Sequence, residues 1–152
     1  MVHSFPTRRS SDLPRLLELE LSEDSLREDE QFALELLKRL NSIGVRLALD
    51  NYGAGSTSLR YLQRFPIHTV KIDRSIVRDV TSNPEEAAIV RAVIAIAHVF
   101  KMKGIAQGVE TMDQANFLRE HACDDAQGYA FGKPLSVEAF TEFLRASSSG
   151  KG

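Results

Sequence analysis

The alternation of apolar and polar positions predicts five β-strands, each followed by a helix. The clearest strand covers residues 45–49, where apolar side chains lead into Asp50 and Asn51 and then into a glycine-rich turn. A buried strand that ends in polar side chains beside a tight turn is typical of a parallel sheet. The same pattern predicts four further strands at residues 17–22, 69–72, 104–109 and 126–131.

Helix signals separate these strands. Asn83 followed by Pro84 is a helix start, Thr111 with Gln114 forms a capping box, and Ser136 can cap the last helix. Ser56 can cap the helix that follows the glycine-rich turn. The predicted helices cover residues 28–40, 57–64, 84–100, 112–121 and 137–145.

Strands that alternate with helices predict an α/β fold, and here a partial (β/α) barrel of the TIM type. A complete barrel of eight units needs about 250 residues, whereas this chain has 152. We therefore expect about five βα units of such a barrel.

Polar side chains follow each predicted strand. Because the carboxyl ends of parallel barrel strands meet at one mouth, we expect these side chains to converge there. For an isolated carboxylate such as Glu20 or Glu23, a solvated surface position is the simpler alternative. The candidate site residues are Glu20, Glu23, Asp50, Asn51, Lys71, Asp73, Gln107, Glu110 and Gln127.

Composition restricts the class of protein. The hydrophobic fraction of 43% and charged fraction of 26% fit one globular domain. A net charge of -2 argues against a nucleic-acid partner. A single cysteine, Cys123, excludes an internal disulfide and favours a cytoplasmic location, and we expect no membrane contact because no apolar run reaches about 18 residues.

The two ends of the chain differ from its middle. Residues 1–13 are polar and aperiodic, and FPTRRSSDL resembles the translation of a common sequencing adapter, so we interpret them as an artefactual leader. A genuine disordered N-terminus is the alternative. Residues 147–152 are rich in serine and glycine and predict a disordered tail, which leaves residues 14–146 as one truncated domain.

Five blocks of this chain, in order, resemble the EAL domain of cyclic-di-GMP phosphodiesterases. The blocks are ELELSED, LALDNYGAGSTSLRYL, VKIDRSIV, IAQGVET and AQGYAFGKPL. The resemblance implies a bacterial signalling domain that acts on cyclic-di-GMP with Mg²⁺ or Mn²⁺. It also implies that the five units are the C-terminal units of an EAL barrel, and that the Glu-Ala-Leu motif itself lies upstream of the segment matched here.

The resemblance gives each candidate residue a role. It implies that Glu20, Asp50 and the position of Asn51 hold metal, and that Lys71 lies beside the attacked phosphate. The positions of Gln107 and Gln127 belong to the catalytic group in the family. The resemblance also implies that a second group of residues braces loops or supports the site: Glu23, Asp73 and Glu110.

Two positions depart from the family pattern. Asn51 replaces the second aspartate of an Asp-Asp pair, and Gln107 replaces the glutamate of AEGVET. Both changes remove a negative charge at nearly constant shape, so we expect metal to be held weakly or not at all. We therefore predict a degenerate, non-hydrolysing site, and an active phosphodiesterase is the alternative.

Three functional classes remain open from the sequence. The parent protein can be a phosphodiesterase, a receptor for cyclic-di-GMP, or a module that binds a protein partner or a second EAL domain as a homodimer. Turnover separates the first class from the others, and nucleotide binding separates the second from the third.

Overall fold

The structure, a computed structural model, describes residues 10–53 and 59–149. A 3-10 helix at Ser10–Leu16 precedes an alternating series of strands and helices. The strands are β1 (Glu18–Leu21), β2 (Arg46–Tyr52), β3 (Thr69–Ile72), β4 (Lys103–Gln107) and β5 (Asp125–Gln127). The helices are α1 (Glu23–Arg27), α2 (Glu30–Ser42), α3 (Leu59–Arg64), α4 (Arg74–Arg78), α5 (Pro84–Val99), α6 (Met112–Glu120) and α7 (Val137–Ser149).

All five strands form one parallel sheet in the order β1-β2-β3-β4-β5. Strands that are neighbours in sequence are therefore neighbours in the sheet, and at least one helix lies in each connection. This sequential parallel order is that of a (β/α) barrel. The predicted α/β fold, five units of a TIM-type barrel, is confirmed.

The sheet has an apolar face and a polar face because side chains alternate along each strand. Leu47, Leu49, Val70 and Ile72 point to the helix side, where they are completely buried in the core. The intervening positions carry charged, hydroxyl and amide groups beside the apolar Ala48 and Ile105. We call this set the polar face, and its members used below are Glu18, Glu20, Asp50, Thr69, Lys71 and Gln107.

The central strand is longer than predicted. Residues 45–49 were expected, but β2 continues through Asp50 and Asn51 to Tyr52. Asn51 has a φ of 53°, and the pairing with β3 shifts register between Leu49 and Tyr52. Asparagine tolerates this left-handed backbone better than most residues, so it permits an irregularity inside the strand.

The last two strands are shorter than predicted at their carboxyl ends. β4 stops at Gln107 because Gly108 turns the backbone to a φ of 68°. β5 stops at Gln127, and the chain then turns back so that the Ala130 N–H donates to the Val109 carbonyl. Both strands therefore end at the edge where the candidate residues were expected.

The helix starts agree well with the predicted caps. Asn83 caps α5 with Pro84 in its first turn, Thr111 and Gln114 form the capping box of α6, and Ser136 accepts from the Ala139 N–H. The proposed cap Ser56 lies outside the described residues. The short helices α1 and α4 were not predicted.

Helical elements reach into both of the segments that were interpreted as a leader and a tail. Helix α7 continues to Ser149, four residues past the predicted end at Arg145, so the expected tail is in part helical. Ser10 to Leu13 belong to the 3-10 helix, and residues 1–9 of the expected leader lie outside the described residues. In the part of the chain that the structure describes, no helix has the length and hydropathy needed to cross a membrane.

Candidate ligand site at the carboxyl ends of the strands

Lys71 and Glu20 form an ion pair on the polar face. The Lys71 ammonium donates to Glu20 Oε1 and thereby links β3 to β1 across β2. The Lys71 side chain is 9% exposed, whereas that of Glu20 is 50% exposed. A lysine buried to this extent needs a negative partner, and β1 supplies it.

Asp50 accepts hydrogen bonds from two amides. Gln107 Nε2 donates to Asp50 Oδ1 over 3.0 Å, and Asn51 Nδ2 donates to Asp50 Oδ2 over 3.1 Å. An ionised carboxylate only accepts hydrogen bonds, so both amides must present their NH₂ groups to it. Each oxygen of the Asp50 carboxylate therefore has an amide donor.

The ion pair of Lys71 with Glu20 and the group of amides around Asp50 lie at successive levels of the polar face. Glu20 is opposite Ala48 in the pairing of β1 with β2, and Asp50 lies two residues further along β2. Lys71 is opposite Ile105, and Gln107 lies two residues further along β4. The group around Asp50 is thus nearer the carboxyl edge by about 6.6 Å, the rise of two strand residues.

These residues do not fit the pair of divalent cations that the resemblance implies. Magnesium and manganese prefer several oxygen ligands, carboxylates above all. Here Glu20 is paired with Lys71, and the Asp50 carboxylate accepts from two amides. Among residues 10–53 and 59–149, no group of three His, Cys, Asp or Glu side chains is arranged to hold a metal ion.

Two of the predicted supporting residues serve local structure. Glu23 lies in the first turn of α1, where it forms an ion pair with Arg27 at 2.6 Å. Burial, and then the charge of Glu23, raise the pKa of Tyr52 at the end of β2. Asp73 caps α4, and its carboxylate accepts from the Ser75 N–H over 2.7 Å. The roles implied for Glu23 and Asp73 in supporting the site stay predictions.

The other two predicted residues lie at the carboxyl edge without a described contact to Asp50. Gln127 pairs through its backbone with Gln107, and its carbonyl accepts from the Val109 N–H over 3.0 Å. Its side chain is exposed, as is that of Glu110. The roles implied for Gln127 and Glu110 also stay predictions.

A cleft that the sequence did not predict lies beside these residues. The cleft has a volume of about 390 Å³ and is lined by Arg74, Ser75, Arg78, Gly108 and Glu110. Arg74 directly follows Asp73 and packs against Gly108, where an added Cβ would come within 2.6 Å of the Arg74 Cβ. The position of Arg74 two residues after the end of β3 was the available signal.

The fold and these side chains define a class: a (β/α)-barrel segment with acidic, amide and ammonium groups at the carboxyl ends of its strands. The sequence matches the EAL domain model over residues 4–134, and the chain belongs to the EAL domain family. The match begins inside the segment that we interpret as a leader. That interpretation stays a prediction.

Curated relatives carry the same domain. The chain is 44% identical over 130 residues to the cyclic di-GMP phosphodiesterase NbdA of Pseudomonas aeruginosa. The matched segment is 86% of this chain but 17% of NbdA. The chain therefore spans a small part of the length of this relative.

Solved structures give the same fold. The PaMucR phosphodiesterase in complex with c-di-GMP has a TM-score of 0.78 and 35% identity, over 84% of this chain and 51% of that one. Klebsiella pneumoniae BlrP1, with manganese and cyclic-di-GMP, has a TM-score of 0.75 and 30% identity, over 80% of this chain and 31% of that one. Divalent metal and cyclic-di-GMP are thus found together in a solved protein to which this chain is similar.

Proposed function

We propose that this chain is part of an EAL domain that binds cyclic-di-GMP without hydrolysing it. In the full-length parent protein, the domain then acts as a receptor or an interaction module. The observation that supports this proposal is the arrangement around Asp50, whose two carboxylate oxygens accept from Asn51 and Gln107.

The amides remove two requirements of hydrolysis. Attack of water on a phosphodiester needs a group that accepts the proton of the water and positive charge that stabilises the phosphoryl oxygens. The Gln107 amide is not a base at any relevant pH, and Asn51 adds no charge to attract a cation. Catalytic groups of this kind act as a unit, so their loss lowers turnover by several orders of magnitude.

Binding of the nucleotide is compatible with the groups that remain. The Lys71 ammonium is desolvated, which strengthens its attraction to a phosphate. Its present partner, Glu20, is half exposed and can turn to solvent at little cost when a phosphate approaches. The PaMucR and BlrP1 complexes show cyclic-di-GMP bound to similar proteins.

The test measures binding and turnover separately in the full-length parent protein. Cyclic-di-GMP is titrated by calorimetry, and the linear dinucleotide is followed by chromatography with Mg²⁺ or Mn²⁺ present. We expect saturable binding and no linear product. Lys71→Met should abolish binding, whereas the control Lys38→Met, on the exposed surface of α2, should not.

Each other outcome overturns the proposal in favour of a named alternative. Linear product formed by the unmodified protein would establish an active metal-dependent phosphodiesterase, the activity named for NbdA. Absence of both binding and turnover would favour a module that recognises a protein partner or a second EAL domain.

A further inference from the structure

We infer that this site takes up its ligand without a divalent cation, and that the NH₂ groups of Asn51 and Gln107 occupy the positions of cations against Asp50. The inference rests on the proposed function only for the identity of the ligand. The absence of a cation follows from the donor set alone.

In this geometry, a divalent cation would gain little free energy by binding to Asp50. The two amide nitrogens lie 3.0 and 3.1 Å from separate carboxylate oxygens, within the ordinary range of hydrogen bonds. A cation bound to Asp50 would have to displace both donors. It would then find one carboxylate and two amide oxygens where hard cations favour several charged oxygens.

No neighbouring acid described here is placed to restore the lost charge. Glu20 is neutralised by Lys71. Glu23 is paired with Arg27, and Asp73 caps α4. Three of the acids that the structure describes near the carboxyl edge therefore already have partners of their own, and the exposed Glu110 has no described contact with Asp50.

The amides can replace one function of a cation. An amide NH₂ group carries two hydrogens, so it can donate to Asp50 and to a phosphate oxygen at the same time. Asp50 orients the amide of Gln107 on β4 and that of Asn51 in the irregular part of β2. The ligand class that suits such donors, with the Lys71 ammonium below them, is a phosphodiester.

The test uses Mn²⁺ alone as a probe and electron paramagnetic resonance to count bound ions in the full-length parent protein. We expect the unmodified protein and Asp50→Asn to bind equal amounts of Mn²⁺. The double variant Asn51→Asp/Gln107→Glu should bind more Mn²⁺ than the unmodified protein, and its affinity for Mn²⁺ should be at least about tenfold higher. The matched control Asn116→Asp/Gln63→Glu adds the same charge at exposed helix positions and should gain none.

A second measurement separates this inference from the proposed function. Removal of cations with EDTA should leave the affinity for cyclic-di-GMP unchanged. Loss of bound Mn²⁺ in Asp50→Asn, or loss of nucleotide binding in EDTA, would overturn the inference. A protein that never binds cyclic-di-GMP would overturn the proposed function, while the Mn²⁺ comparison would still decide whether the site holds a cation.

Discussion

Gln107 Nε2 donates to Asp50 Oδ1 over 3.0 Å and so joins β4 to β2 across the strand between them. Lys71 and Glu20 join β3 to β1 in the same manner. Side chains from alternate strands form the layers inside a (β/α) barrel, and these two links follow that rule. Here the two links bring hydrogen-bonded and charged groups to positions where such barrels commonly have branched apolar residues.

The first prediction concerns Gln107→Glu in the absence of divalent metal. The change replaces a donor with a carboxylate that repels Asp50, so we expect the free energy of unfolding at pH 7 to fall by about 1–3 kcal/mol. Lowering the pH to about 5 should recover part of this loss, because the pair can then share a proton. Urea unfolding at the two pH values measures the effect. Gln63→Glu on exposed α3 is the control, and equal losses in both variants would contradict the prediction.

The ion pair of Lys71 and Glu20 predicts an unequal response to loss of either partner. Glu20→Gln leaves a buried ammonium without its counter-charge, and we expect it to cost about 2 kcal/mol or more. Lys71→Met leaves only a half-exposed carboxylate, which water can solvate, so its cost should be below about 1 kcal/mol. Thermal unfolding of the two variants tests the order, and a reversed order would show that the lysine is better hydrated than its 9% exposure indicates.

Two glycines near the carboxyl edge should differ in their tolerance of alanine. An added Cβ at Gly128 would lie 2.1 Å from the Val109 carbonyl oxygen, a backbone atom that cannot turn away. Gly128→Ala should therefore destabilise the protein by about 2–3 kcal/mol. A Cβ added at Gly132 would meet no atom within 4 Å, so Gly132→Ala should be nearly neutral. Equal melting temperatures of the two variants would refute the close approach of the chain at Gly128.

His68 predicts a loss of stability in mild acid. Burial, and then the positive charge of Arg46, lower the pKa of His68 below its ordinary value of 6.5. The folded state therefore prefers neutral His68, whose Nδ1 accepts the Leu47 N–H over 3.1 Å. This contribution is complete above pH 6.5 and is lost as the pH falls through the lowered pKa.

The corresponding measurement compares melting temperatures from pH 8 to pH 5 (about the range over which histidine titrates) in the unmodified protein and in His68→Asn. The asparagine can keep an acceptor near Nδ1 but does not titrate, so its curve should be flatter. Asp124 does not contribute to the pH dependence of the melting temperature over this range. Burial opposes its ionisation, but hydrogen bonds from Gly104 and His98 outweigh burial and keep its pKa below 3.8. Parallel curves for the two proteins would contradict the role given to His68.

The sequence predicted the units of the fold better than their ends. Apolar alternation and helix caps depend on local chemistry, so all five strands and the starts of α5 and α6 were predictable. The extension of β2 depends on the left-handed backbone of Asn51, which asparagine permits but does not require. Helix α4 has five residues, fewer than hydrophobic periodicity can identify.

The candidate site was predictable in membership but not in contacts. Strand ends identified Glu20, Asp50, Lys71 and Gln107, since the carboxyl ends of parallel strands share one edge. Which of them pair depends on the register between strands, and the alternating pattern excludes a slip of one residue but not a slip of two. The partner of Lys71 in particular lies 51 positions away in the chain.

The alternation of Glu18 and Glu20 with leucines, and of Thr69 and Lys71 with Val70 and Ile72, also protects the sheet against misalignment. Sliding β3 by one residue would turn the Lys71 ammonium under the helices and bring Val70 and Ile72 onto the polar face. In a sheet with two apolar faces, such slipped pairings would cost far less. The polar side chains of this face therefore favour the native register over registers shifted by one residue.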